Sequence, residues 1–363
     1  MNLRSIKDED VKNKKVFFRA DLDVPLENGK IKDTTRLKAW LPTLEYLLKN
    51  QAHVFIAGHL GRPKPKLRVN NSELRIEEPE FSLRPVAEWL KNQLEIHSEL
   101  KGVDIRGFKG WEITGNVSLL ENLRFYKEEE ANPSTSSGQA FSQKLASIAD
   151  IYVNDAFSSS HRAHASIVGV AKLIPRFAGF RLLEEVDTLS RVLENPKRPL
   201  VMIIGGAKIE TKLPLVEKMH GFSDYVLVGG EIAENDKVLL KVQHEKIKAK
   251  KSILLVADLT ENKKDITEKT AENFLQVCQA AQTVVWNGPM GLIEEEEYQK
   301  GTNILAEGLG SLSSYRIVGG GDTLGFLKEK NILDKFSFVS TGGGAMLEFL
   351  AGEKLPGIEI LKK

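Results

Sequence analysis

Cysteine is nearly absent: Cys278 is alone among 363 residues, so no intrachain disulfide can form. It falls within an amphipathic stretch, Thr270–Ala281, with no histidine or basic group close in sequence. That context reads as a small residue on a helix rather than a reactive thiol. Charge of one sign is lacking too. Lys+Arg is 51 and Asp+Glu is 50, a net charge of +1, so the composition gives no support to nucleic-acid binding and any anion site must be built locally. No run approaches the ~20 apolar residues of a membrane span. The opening MNLRSIKDEDVKNKK is polar, without an apolar export core. The expectation is a cytoplasmic protein with neither membrane nor nucleic acid as partner.

Several chemical signatures are missing as well. No G-x-x-x-x-G-K-[ST] occurs, which excludes a Walker-type loop. The triple-glycine turn Gly319-Gly-Gly-Asp322-Thr323 does not fit G-x-G-x-x-G, since Leu324 stands where the last glycine belongs, and an NAD-linked dehydrogenase is disfavoured. The protein-kinase signature set and zinc-type Cys/His spacing are absent. His161 and His164 lie near Ser158–Ser160 and Ser166 without the pattern of an oriented Ser-His-Asp triad. His53, His97, His220 and His244 read as ordinary surface or core residues.

What is present is rhythm. Short β-rich runs alternate with amphipathic helical patterns, which predicts βα repeats and parallel sheets, and the length suits two domains at ~150 residues each. In the first half, strands are predicted at Val16–Asp21, His53–Gly58, Val117–Glu121 and Ile151–Asp155, with helices at Arg36–Lys49, Leu83–Gln93 and Phe141–Ala149. In the second, strands are predicted at Leu200–Gly205, Tyr225–Gly229, Ile253–Asp258, Thr283–Asn287, Tyr315–Gly319 and Phe336–Ser340, with helices including Glu297–Leu309, Leu324–Lys330 and Ala345–Ala351. Between the halves, Leu182, Leu183, Val186, Leu189 and Leu193 recur at helical spacing within Ala178–Asn195, a helix joining two domains. The segment Glu128–Gly138, rich in Ser and Pro, is expected to be mobile surface without chemistry.

Parallel α/β sheets bind ligands beyond the carboxyl ends of their strands. In the first half those ends carry Asp21 and Asp23, His59 and Arg62, Arg124, and Asp155 with His161 and Arg162, while Arg36 opens the first helix. One arginine could equally pair with a surface aspartate. Four on successive strand ends favour a small-anion site, because guanidinium forks grip phosphate or carboxylate oxygens in pairs. In the second half the ends carry glycine: Gly205-Gly-Ala-Lys208 with Lys212 four residues on, Gly229-Gly230, Asn287-Gly-Pro-Met-Gly291, Gly319-Gly-Gly-Asp322, and Ser340-Thr-Gly-Gly-Gly344. Such turns let backbone amides approach phosphate, and Asp322 is suited to Mg²⁺, which prefers oxygen ligands beside substrate phosphates.

The segments RADLDVP, DTTRLKAWLPTLEYLL, HLGRPK, LLENLRF, DIYVNDAFSSSHRAHAS, GGAKIETK, TVVWNGPMG, GTNILAEGL, IVGGGDT and STGGGAMLEFLAGEKLPGI together resemble phosphoglycerate kinase, in that family's order over nearly the whole chain. The resemblance implies an α/β fold of two Rossmann-like parallel-sheet domains joined by a helix, with an interdomain cleft. The corresponding divisions are residues 1–177 for the phosphorylated acid, 178–195 for the helix, 196–350 for the nucleotide, and 351–363 as a tail returning toward the first domain. The implied reaction is ATP + 3-phosphoglycerate ⇌ ADP + 1,3-bisphosphoglycerate, in glycolysis, by a monomer using Mg²⁺, with domain closure bringing the two sites together. Position by position, Asp21, Asp23, Arg36, His59, Arg62, Arg124 and Arg162 match the acid site. Lys208, Lys212, Asn287, Glu294, Gly321, Asp322 and Thr323 match the nucleotide site, with Asp322 as the metal contact. Arg36, Lys208, Gly342 and Gly343 match the groups near the transferring phosphate. The chain departs from the family in Asp23 for the usual Asn, in Ser158-Ser-Ser for Gly-Thr-Ala, and in a shortened stretch between Asn235 and Thr283, where Lys264–Thr270 replaces a glycine-containing turn of the adenine pocket. These departures motivate the alternative of a catalytically weakened binding or regulatory relative; retention of Arg36, Lys208, Lys212 and Asp322 argues against it.

Overall fold

A computed structural model describes residues 1–63, 79–207, 209–234 and 252–363. The chain divides into two compact units, Met1–Val186 with Lys354–Lys363, and Asp187–Glu353. The boundary falls inside the helix Phe180–Glu194.

The first unit is built on strands β1 (Lys15–Arg19), β2 (Leu26–Glu27), β3 (Lys30–Ile31), β4 (His53–Ala57), β5 (Lys101–Ile105), β6 (Phe108–Thr114), β7 (Val117–Leu120), β8 (Ile151–Asn154) and β9 (Arg176–Ala178). Seven of them form one sheet in the order β5-β6-β7-β4-β1-β8-β9; β2 and β3 pair separately. From β7 to β9 the pairing is parallel. β5, β6 and β7 run antiparallel, an edge that the sequence pattern did not reveal because LysGlyValAspIle offers little apolar run to read. Central β1 is buried along Val16–Arg19, as a parallel strand covered on both faces must be. The helix Thr35–Lys49 buries Leu37, Trp40, Thr43, Leu44 and Leu47, a stripe at helical spacing. Asp33 Oδ1 accepts from the Thr35 amide and hydroxyl at its start. Trp40 packs edge-on against Phe18 at 5.8 Å and donates its indole N–H to the Asp21 carbonyl at 3.1 Å, which ties the helix to the end of β1.

The second unit carries β10 (Leu200–Ile204), β11 (Tyr225–Val228), β12 (Ile253–Val256), β13 (Thr283–Asn287), β14 (Tyr315–Gly319) and β15 (Phe338–Val339) in one parallel sheet, order β12-β11-β10-β13-β14-β15. Its core gathers Val201, Ile203, Leu227, Phe274, Trp286, Leu305 and Leu327. Cys278 is buried in that core and its thiol is pushed up to about 12 by desolvation, as expected for an inert packing residue.

The sequence reading of Glu128–Gly138 needs correction. Thr135 caps a helix, Ser136–Ala146, and Glu129 is fully buried, because its carboxylate has partners across the unit. Most predicted strands run one or two residues too far at their carboxyl ends, where the chain turns to present the charged or glycine residues. His53 and His97 are exposed and His220 is buried against Ser252; His244 lies outside the described residues.

Candidate functional site

In each sheet the chain leaves a central strand to one side and later returns on the other. In the first unit β4 and β7 lie on one side of β1, and β8 and β9 on the other. The crevice of an open α/β sheet forms beyond the strand ends at this reversal, here between β1 and β8. In the second unit it forms between β10 and β13.

Asp21 and Asp23 follow β1. Asp21 is buried, and Ser158, just past β8, donates its hydroxyl to Asp21 Oδ2 at 2.6 Å across the crevice. Arg36 Nε stands 3.8 Å from the same oxygen, and Arg36 Nη1 donates to the Asp23 carbonyl at 2.8 Å. Asp21 is the main cause of a raised Arg36 pKa, which fixes the guanidinium as a permanent cation. Asp23 Oδ1 accepts from the Gly61 amide at 2.8 Å, while Oδ2 lies 3.6 Å from Arg36 Nη1 and 3.9 Å from His59 Nε2. The extra carboxylate is thus flanked by cation and donors, which offsets its repulsion toward an anion.

Arg124 sits in a short turn after β7 whose start is capped by Asn122; the Asn122 amide also donates to the carbonyls of Leu60 and Phe81. Arg124 Nη1 reaches the Gly61 carbonyl at 2.7 Å and Nε meets Glu130 at 3.1 Å. Burial lowers the Arg124 pKa, and Arg19 and Arg62 push it the same way. Burial lowers His161 to about 4 and His164 to about 3, with Arg162 and Arg124 acting on both. Arg62 and Arg162 are exposed, and Arg162 Nε lies 2.8 Å from His161 Nε2. The predicted acid-site residues thus follow the carboxyl ends of β1, β4, β7 and β8, with Arg36 on the helix after β1 and beside Asp21 and Asp23.

Sequence reasoning missed what lies behind them. Arg19, fully buried on β1, bonds His59 Nδ1 at 3.0 Å and Ser166 Oγ at 2.9 Å. Ser166 donates through its hydroxyl and amide to Glu129 at 2.5 and 3.0 Å. The available signal was an arginine interrupting the apolar run Val-Phe-Phe of a central strand, since a buried charge needs a partner.

In the second unit the glycine turns meet backbone to backbone. The amides of Gly205 and Gly206 donate to the carbonyls of Asn287 and Pro289, and the Gly230 amide to Met290. A Cβ on Gly288 would lie 2.1 Å from the Gly205 carbonyl oxygen, and its φ of +96° also demands glycine. The Gly288 amide donates to Thr323 Oγ1 at 3.0 Å, so buried Thr323 braces the turn. Lys212, on the helix Ile209–His220, bonds the Gly205 carbonyl. Asn287 is buried, and its Nδ2 finds no hydrogen-bond partner among the described residues, an orphan donor suited to a ligand. Gly321 and exposed Asp322 open the helix Gly321–Glu329, and Gly343 with φ +53° leads into Gly344–Leu350 after Gly342. Glu294 is exposed on the turn beyond Gly291. Lys208 lies outside the described residues. Among the described residues no group of three His, Cys, Asp or Glu could hold a metal. One carboxylate at a helix start fits a Mg²⁺ that shares its ligands with a nucleotide, not a resident ion.

The phosphoglycerate kinase family model matches residues 6–264 and 234–353. The chain is 37% identical to a phosphoglycerate kinase of Finegoldia magna, covering 99% of each, and 38% identical to one of Moorella thermoacetica, covering 98% of each. These alignments span 414 and 401 positions against 363 residues, so the relatives carry residues that this chain lacks. Among solved structures, the phosphoglycerate kinase of Coxiella burnetii matches with a TM-score of 0.77 at 35% identity, over 99% of this chain and 98% of that one. That of Pyrococcus horikoshii matches with a TM-score of 0.80 at 30% identity, over the same shares. The chain belongs to the phosphoglycerate kinase family.

Proposed function

We propose that the protein catalyses reversible phosphoryl transfer between ATP and the carboxylate of 3-phosphoglycerate, giving ADP and 1,3-bisphosphoglycerate. The observation that carries this reading is the pair of topological switch points, one lined by arginine and histidine around Asp21 and Asp23, the other by glycine amides, Lys212 and Asn287 Nδ2, which has no partner among the described residues. The acceptor carboxylate is its own nucleophile, so no covalent enzyme intermediate is needed, and catalysis consists of positioning and charge neutralisation.

Arg62, Arg124 and Arg162, with His59, hold the acid's stable phosphate. Asp21 and Asp23 orient its polar end and steady Arg36, which neutralises the moving phosphoryl group together with Lys208. Lys212 and Asn287 grip nucleotide phosphates; Gly321 and Thr323 shape that turn; Glu294 serves the ribose. Gly342 and Gly343 offer amides at a helix start toward developing charge. Asp322 would hold a Mg²⁺ brought in with the nucleotide, and that ion would supply charge neutralisation on the phosphate oxygens. A cytoplasmic monomer working in glycolysis completes the reading, on the strength of the resemblance; among the described residues no helix is long and apolar enough to cross a membrane.

A coupled assay with 3-phosphoglycerate, Mg²⁺ and either ATP or GTP tests it. Turnover with at least one nucleotide is expected; binding of both reactants without turnover would leave the weakened relative as the better description.

A further inference from the structure

We infer that Arg19 is a positioning residue that holds His59 as the neutral tautomer protonated on Nε2, so that this ring serves the acid site as a hydrogen-bond donor and not as a cation. The inference rests on the acid-site reading above and sharpens it.

The argument begins with what a guanidinium can do. It carries only N–H donors and stays charged. Arg19 Nη2 lies 3.0 Å from His59 Nδ1, so Nδ1 must accept and carries no proton. The ring's one proton is then on Nε2, the nitrogen turned toward Asp23, 3.9 Å from Oδ2. Flipping the ring would set a C–H against the guanidinium and strip a donor's partner from a fully buried position. Arg19 cannot turn away. Its Nη1 donates to the Ala20 carbonyl at 2.6 Å and its Nε to Ser166 at 2.9 Å. Through Ser166 it is linked to fully buried Glu129, which accepts from both the hydroxyl and the amide of that serine; burial pushes the Glu129 carboxyl up, and the charge of Arg19 opposes that shift.

The groups facing the ring favour the same state. Arg19, Arg124, Arg36 and His164 all oppose a second proton, and burial opposes it most, holding the His59 pKa well below the ordinary histidine range. Asp23, with its side chain 37% exposed, is the carboxylate near the ring. A substrate phosphate or carboxylate oxygen would therefore receive one N–H from His59 and its charge neutralisation from the arginines. Grip by His59 should then not vary across the pH range where histidines ordinarily titrate, about 5.5 to 7.5.

The test is nitrogen-15 NMR of the imidazole ring in the full chain, with the His59 signals assigned by their loss in His59→Gln. The expected spectrum has a protonated-type Nε2 and a bare-type Nδ1, unchanged from about pH 8 to about pH 5.5, with the Nε2 signal moving when 3-phosphoglycerate is added. An imidazolium at pH 6, or a proton on Nδ1, would overturn the tautomer. An Nε2 signal indifferent to 3-phosphoglycerate would overturn the donor role. Arg19→Met should release the tautomer, so that Nδ1 takes a share of the proton, and raise KM for the acid more than it lowers kcat; Arg19→Lys, which keeps a charge and a donor, should restore the wild-type ring state. If Arg19→Met alone does not fold, Arg19→Met with Glu129→Gln removes the buried pair together. A ring state unmoved by either Met variant would refute the role of Arg19. Failure of phosphoryl transfer in the coupled assay is a separate result, since the spectrum of the unliganded chain does not depend on it.

Discussion

Ser158 donates its hydroxyl to Asp21 Oδ2 at 2.6 Å, joining the end of β8 to the end of β1 across the reversal of strand order. Arg36 approaches that same oxygen, at 3.8 Å, so the hydroxyl shares the carboxylate with the guanidinium. Ser158→Ala leaves Asp21 to draw Arg36 inward, away from substrate. A hydrogen bond to a charged group contributes about 1.5–3 kcal/mol, and part of that is recovered by the closer ion pair. The expected outcome is a KM for 3-phosphoglycerate raised roughly tenfold, about 1.4 kcal/mol, with kcat within about a factor of two. Steady-state kinetics over both substrates check this; an unchanged KM for the acid would remove Ser158 from the site.

Arg36 carries a different kind of role. It is held by Asp21 and by the Asp23 carbonyl, and its charge is secured by the carboxylates around it. Arg36→Ala should lower kcat by about two to three orders of magnitude, the scale of losing one group that neutralises transition-state charge, while the melting temperature changes little. Retention of near-normal turnover would show that the moving phosphoryl group is neutralised elsewhere.

Thr323 braces the nucleotide turn by accepting from the Gly288 amide at 3.0 Å. Thr323→Val keeps the shape and removes the acceptor. A buried amide without a partner costs about 1–3 kcal/mol, so unfolding should occur at lower urea concentration and KM for ATP should rise, with KM for the acid unaffected. Equal disturbance of both KM values would contradict the local role.

Asp155 offers a pH test. Burial pushes its carboxyl up to about 7, although the Thr43 hydroxyl at 2.6 Å, the Leu182 amide at 2.8 Å and the charge of Arg181 favour ionisation. As pH rises from about 4 to about 7, the unfolded chain gives up this proton first and the folded chain retains it. The folded state then binds more protons, so this group's contribution to stability falls with rising pH, by at most about 1.4 kcal/mol per unit. Asp155→Asn cannot titrate and should lack that slope. Urea unfolding of both proteins at intervals from pH 4 to 8 should show the wild type losing ground to the variant across the window; parallel curves would place the Asp155 pKa in its ordinary range.

The strand-end arginines and the glycine turns were readable because they follow strands, and a strand's end is a local property of apolar run and turn residue. Glu129 and Arg19 were not. Glu129 sits in a segment whose composition reads as solvated loop, and Ser166, 37 residues away, with the nearby charge of Arg19, makes its burial tolerable. The edge strand β5 was hidden for the opposite reason: its residues are mostly exposed, and it has little alternation to announce it.

The amino-acid sequence alone determined that strands and helices alternate, that one half ends its strands in arginine and histidine and the other in glycine, and that the order of motifs is that of phosphoglycerate kinase. These are properties of neighbours along the chain. The tertiary structure alone decided which strand ends face each other across a reversal of sheet order, which charge is buried beneath the site, and that residues 354–363 return to the first unit, where the Gly357 amide meets the Ser160 carbonyl at 2.8 Å. Contacts of that kind join residues far apart in sequence, and their energy depends on burial and geometry that no local pattern contains.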